Sequence, residues 1–192
     1  MNPMTLPQAR TLGLPRGRSL TRDDLDAMPD DGHRYEIIDG TLIVSPAPIR
    51  LHQRIVTQLV RALEAARPDD SYEVLVAPFD VVLAIDTVVQ PDVLVAREAD
   101  LTDRDLPAAP MLAVEVLSPG TRRVDLLLKR SRYESAGVRS YWIIDPDAPS
   151  LTALELRADG YVEIGSISGE ATFVASKPYA VEFSPAALVH RR

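Results

Sequence analysis

The sequence predicts a fold of the α/β (α+β) kind, a mixed β-sheet core flanked by helices with extra antiparallel strands. Three observations predict it. Two apolar runs, "VLVA" after Asp92 and "LAVEV" at 112–116, read as strands buried on both faces. One segment, residues 49–66, has a strong helical period. The elements also come in the order strand, helix, strands, helix, strands, which suits a sheet covered by helices rather than a bundle or a sandwich.

Taken in order, the first 18 residues read as a flexible leader. They carry Arg10, Arg16 and Arg18 but no apolar core, so they are not a secretory signal. Structure is expected from Ser19 or Thr21, either of which could cap a short helix through Leu25 and Met28. One domain over 19–192 is expected from the length. "RYEIIDGTLIV" reads as a hairpin turning at Asp39-Gly40. In the 49–66 helix, Leu51, Ile55, Val56, Leu59, Val60 and Leu63 share one side, and Arg50, Arg54, Gln58 and Arg61 the other.

Two strands are expected next: Tyr72 to Ala84, kinked at Pro78, and Val88 to Ala96, with Asp86-Thr87 turning between them. Residues 97–110 are polar and proline-marked, hence a loop. The strand around Glu115 ends at Ser118-Pro119-Gly120, and a helix from about Arg123 to Ala136 stops at Gly137. "SYWIID" is another strand. The remainder reads as a meander with a turn at Asp159-Gly160.

Composition narrows the function. The chain of 192 residues has 21 basic and 28 acidic side chains, a net charge of −7. A general nucleic-acid coat would be basic, so any such contact must be local. Residues 120–140 offer one, with Arg122, Arg123, Lys129, Arg130, Arg132 and Arg139 against Asp125 and Glu134; a solvated, salt-bridged helix face is the better account of most of them. No apolar stretch approaches the roughly 20 residues of a membrane span. With no cysteine there is no disulfide framework or thiolate metal site, which suits a reducing cytoplasm.

The chemistry starts from Glu115, a lone charge in an apolar strand. An unpaired buried charge is costly, so it must be neutralised, paired or bound to metal. Asp92 opens the preceding apolar strand. If the two strands are neighbours, the carboxylates converge, and two hard oxygen ligands suit Mg²⁺ or Mn²⁺. Asp125 and Lys129 stand four apart on the next helix. Spacing alone makes them a surface salt bridge, while a lysine there would also suit a phosphate or a water nucleophile. Glu36 shares a face with Ile38 on the hairpin; it either completes a metal site or pairs with Arg34 or Arg54. His52 lies in the apolar arc of its helix, as a hydrogen-bonded core residue or as a support for a carboxylate or phosphate.

Together "RYEIIDGTLIVSPAP", His52, "QPDVLV", "AVEVLSPGT", "DLLLKRSRY" and "AGVRSYWIIDP" resemble the Uma-type family of restriction-endonuclease-like proteins, within the PD-(D/E)XK superfamily. The resemblance covers about residues 20–185. It implies a restriction-endonuclease-like core in which acidic residues bind a divalent metal and water attacks a phosphodiester. Pro91-Asp92 is then the PD element and Glu115 the (D/E). The superfamily's lysine, two residues beyond the glutamate, is here Leu117, so the resemblance moves that role to Lys129 on the following helix. It likewise assigns Glu36 beside the metal and Tyr133 to the lining.

The implied chemistry is hydrolysis assisted by Mg²⁺ (or Mn²⁺) on Asp92, Glu115 and the carbonyl of Val116, with Lys129 stabilising charge on the phosphate. His52, Asp125 and Tyr133 would support these groups, and the head of Glu115 would emerge at the strand's end. The reading is an endonuclease acting on DNA, with a homodimer as the arrangement that would address two strands with two sites. Its rivals are a catalytically silent nucleic-acid- or protein-binding relative and a metal-dependent hydrolase of another substrate.

Overall fold

The computed structural model describes residues 14–15, 17–120 and 122–189; the expected leader, residues 1–18, lies largely outside them. Helix α1 (Arg22–Asp26) starts at Thr21, whose backbone N–H donates to the Asp24 carboxylate at 2.8 Å. The expected hairpin follows, with β1 (Arg34–Ile38) antiparallel to β2 (Thr41–Ser45). Asp39 and Gly40 are both left-handed, φ 51° and 70°, the twist that a two-residue hairpin turn requires. Helix α2 (Arg50–Ala66) buries Ile55, Leu59 and Leu63 at helical spacing. Each of those side chains contributes about 2 kcal/mol by leaving water.

Residues 72–84 and 88–96, each expected as one strand, are each two strands in different sheets. They form β3 (Tyr72–Val76), β4 (Asp80–Ala84), β5 (Thr87–Val89) and β6 (Val93–Arg97). The breaks fall at Pro78 and Pro91, residues with no N–H to give a ladder. The chain therefore crosses between sheets twice in quick succession. The β4–β5 turn is at Ile85-Asp86, one residue earlier than expected, because β-branched Thr87 joins the strand and is buried. The expected loop 97–110 contains a 3₁₀ turn at Glu98–Asp100 and a short strand, β7 (Asp105–Leu106), parallel to β4.

Strand β8 (Leu112–Val116) is buried throughout, as its composition predicts. The helix expected over 123–136 is present but begins as a π-helix, Val124–Lys129, before α3 (Arg130–Ala136). Gly137 ends it at φ 86°. This helical segment crosses from β8 to β9 (Ser140–Asp145), its parallel neighbour. The antiparallel pair β10 (Ser150–Arg157) and β11 (Gly160–Ser168) follows. Gly160 already belongs to β11, at φ 114°, so this turn too comes one residue early.

The rest of the expected meander is a separate ribbon of β12 (Phe173–Ala175) and β13 (Val181–Phe183). Helix α4 (Pro185–Val189) has no counterpart in the sequence reading; so short a segment shows no helical period.

The mixed sheet is thus a pair. One has the order β11-β10-β9-β8-β6-β3, the other β2-β1-β5-β4-β7. Strand residues alternate faces. Val93, Val95, Leu112, Val114 and Trp142 pack with α2. Leu94, Ala96, Ala113, Tyr141 and Ile143 face the other way, into a second core with Ile38, Val81 and Val89 of the five-stranded sheet. By the same alternation Glu115 faces that second core, with Asp92 just before β6.

Candidate active site

Register brings the two expected carboxylates together. Strands β6 and β8 pair Val93 with Val114, so one further step sets Asp92 beside Glu115. Asp92 is almost wholly engaged. Its Oδ1 accepts from Arg34 Nη1 at 2.9 Å; its Oδ2 accepts from the Val116 N–H at 2.9 Å and lies 3.0 Å from His52 Nε2. The Glu115 Oε1 accepts from the Tyr133 hydroxyl at 2.7 Å and from Lys129 Nζ at 3.1 Å. Its Oε2 is buried with no hydrogen-bond partner.

Glu36 and the helical pair join the same cluster. Lys129 Nζ lies 2.8 Å from Glu36 Oε1 and 3.7 Å from Asp125 Oδ1. Glu36 Oε1 also accepts the Gln90 N–H at 2.7 Å, donated from the segment between β5 and β6. Of the two readings of Glu36 the structure shows the ion pair, since Arg34 Nη2 stands 3.5 Å from its Oε2; Arg54 turns away and donates to the Val189 carbonyl.

Asp125 and Lys129 do pair at i,i+4, but both are buried, so the pair is no surface bridge. The wide π-helical turn presents both to the core, and Tyr133 follows on the same side. Nor does Glu115 emerge at its strand's end: it is 0% exposed, because the five-stranded sheet and the π-helix cover its face.

Four carboxyl groups, Glu36, Asp92, Glu115 and Asp125, surround two fixed cations, Arg34 and Lys129. Burial works against ionising Asp92, but His52, Arg34 and Lys129 outweigh it and hold its pKa well below the usual range. Burial likewise opposes ionisation of Glu36, where Lys129 and Arg34 win and lower its pKa. At Glu115 the balance reverses. Complete burial, with Asp125, Asp92 and Glu36 adding repulsion, pushes its pKa well above normal despite Lys129. Lys129 itself stays charged: burial disfavours its cation, but Glu115, Glu36 and Asp125 more than compensate.

Sequence reasoning considered Arg34 only as a partner for Glu36 and so missed its contact with Asp92. Strand alternation was the available signal, since Arg34 and Glu36 stand two apart on one face of β1. The Gln90 N–H had no signal at all, being a backbone group.

Among the described residues no set of three or more His, Cys, Asp or Glu converges as a metal cage. The donors still fit a hard divalent ion. Asp92 and Glu115 are neighbouring carboxyl groups, one carboxylate oxygen is buried without a partner, and acidic groups outnumber cations.

These features define a mixed-sheet α/β protein with an acidic cluster at the sheet crossing, and known structures share the fold. A putative nuclease belonging to DUF820 from Anabaena variabilis matches with a TM-score of 0.73 at 18% identity, over 88% of this chain and 97% of that one. The profile of the Uma2 family, described as a putative restriction endonuclease, matches residues 22–186. The chain belongs to that family. Comparison with curated proteins gave no match.

Proposed function

We propose that this protein is a divalent-metal-dependent endonuclease that hydrolyses phosphodiester bonds in DNA. The observation behind this reading is the placement of Asp92, just before β6, beside Glu115 of β8, with Glu115 Oε2 buried and unpartnered. Asp92, Glu115 and the Val116 carbonyl would hold Mg²⁺ or Mn²⁺, with Glu36 beside them. When bound, such an ion lowers the pKa of a coordinated water and offsets charge on the phosphate.

The chain's own residues set the stage for that chemistry. His52 and the Val116 N–H fix the Asp92 carboxylate; Tyr133 and Lys129 fix that of Glu115. Lys129 is 1% exposed between three acids, so in this reading it holds the carboxylates in place rather than meeting the phosphate. Asp125 anchors Lys129 from one turn away. DNA is the substrate class that the family description favours. A homodimer, placing one site on each strand, and a reducing cytoplasm, which suits a chain without cysteine, complete the proposal.

One observation favours a silent binding relative instead: every charged side chain of the cluster already has an opposite charge beside it without any ligand. Incubating purified protein with plasmid and single-stranded DNA in Mg²⁺ or Mn²⁺, with Glu115→Gln as control, separates the two. Metal-dependent cleavage by the wild type alone is the expected result. Metal binding without cleavage of any DNA would leave the silent relative or a hydrolase of another substrate.

A further inference from the structure

We propose that Arg34 is the residue of this site that touches the substrate's phosphate. The inference rests on the nuclease reading and deepens it. Hydrolysis of a phosphodiester loads negative charge onto a site already rich in carboxylates, so a protein cation must reach the substrate. Lys129 has no route to one, being 1% exposed with three acids around its amine. Arg34 shares the cluster and is 21% exposed, the most open of the cations bonded to it.

Its hydrogen bonding is incomplete as well. A guanidinium has five N–H donors; Asp92 and Glu36 engage one each, and the buried Nε has no partner. The second N–H of Nη1 and of Nη2 is then left for a ligand oxygen. The planar fork also matches two phosphate oxygens at once, which an ammonium cannot do. Finally, Arg34 and Glu36 share one face of a paired strand, so the fork is aimed by β1 and held against Asp92 at 2.9 Å. It thus stands where a phosphate must come if Asp92 holds the ion.

The test uses the full chain, with Arg34→Met and Arg34→Lys beside the wild type. Binding of a short fluorescein-labelled DNA duplex is followed by anisotropy across a salt series, with Ca²⁺ replacing Mg²⁺. Ca²⁺ affinity without DNA is measured by calorimetry, and turnover in Mg²⁺. Arg34→Met should reduce the slope of log affinity against log salt by about 1 and lower turnover about 100-fold, with Ca²⁺ bound as well as in the wild type. Arg34→Lys should keep the slope, by keeping the charge, but not the full turnover.

An unchanged slope in Arg34→Met, or Ca²⁺ affinity falling in step with turnover, would overturn the proposal and make Arg34 a positioning residue for Asp92. If Arg34→Met does not fold, wild-type turnover in Arg34→Lys overturns it. A wild type that binds no duplex in any divalent ion defeats the nuclease reading and this inference together; a binding wild type with an indifferent Arg34→Met defeats the inference alone.

Discussion

The rim and the floor of the acidic cluster treat the same functional group in opposite ways. At the rim, Asp92 receives donors on both oxygens, from Arg34, His52 and the Val116 N–H, and is held ionised. On the floor, one strand away, Glu115 has both its donors on one oxygen and none on the other, and shares its lysine with Glu36 and Asp125. Burial then tips it towards the neutral acid. Donor count and burial, rather than the choice between aspartate and glutamate, set the direction in which each pKa moves. The floor therefore keeps one buried carboxylate oxygen without a partner, while at the rim both oxygens of Asp92 are engaged.

Removing the floor's cation is expected to have the largest effect. Lys129→Met leaves three buried acids without their shared partner and should cost about 3–5 kcal/mol of stability, read by denaturant unfolding, together with turnover. A variant as stable as the wild type would show that the floor is not held by charge.

The sharpest contrast is between Asp92→Asn and Glu115→Gln, compared in EDTA. The first breaks charge-assisted hydrogen bonds and should lose about 2–3 kcal/mol. The second replaces a carboxyl that the fold already favours as neutral, so its stability should stay within about 1 kcal/mol of wild type. Both should abolish metal-dependent cleavage. Equal destabilisation would erase the distinction between rim and floor.

Melting temperature against pH separates the two by sign. Asp92 has a depressed pKa in the fold, so its contribution is present above the ordinary carboxylate range and lost as pH falls. Glu115 has a raised one. Between its unfolded and folded values the unfolded chain has released a proton that the fold retains, so stability declines as pH rises. Glu115→Gln should remove that decline and leave the acid limb unchanged. The smallest effect is expected from Tyr133→Phe, which deletes one buried hydrogen bond to Glu115, about 1 kcal/mol by thermal or denaturant melting.

Much of this was legible in the sequence. The hairpin at Asp39-Gly40, the α2 helix, the buried strand around Glu115 and the stop at Gly137 all follow from local periods and turn chemistry. The family resemblance, not local pattern, singled out Glu36, His52, Asp92, Glu115, Asp125, Lys129 and Tyr133 as a set, and the fold brings these side chains together; from spacing alone Lys129 reads as a surface ion pair. The splitting of residues 72–84 and 88–96 between two sheets was not legible, because a proline marks a break without saying where the chain goes next. The contact of Arg34 with Asp92 escaped for a related reason: alternation places Arg34 beside Glu36, but Asp92 stands just before a strand of the other sheet, 58 residues on.

By itself the sequence determined the elements, the apolar faces and the presence of a charge in a strand too apolar to hold it unaided. These are consequences of neighbours along the chain: the period of a helix, the alternation of a strand, the left-handed bias of Asn, Asp and Gly. Only the tertiary structure decided which carboxylate is ionised, that Lys129 is sealed and that Arg34 stands at the rim. Those properties depend on desolvation and on charges brought within a few ångströms from four separate elements. Electrostatic energy follows distance in space and access to water, neither of which a linear pattern contains.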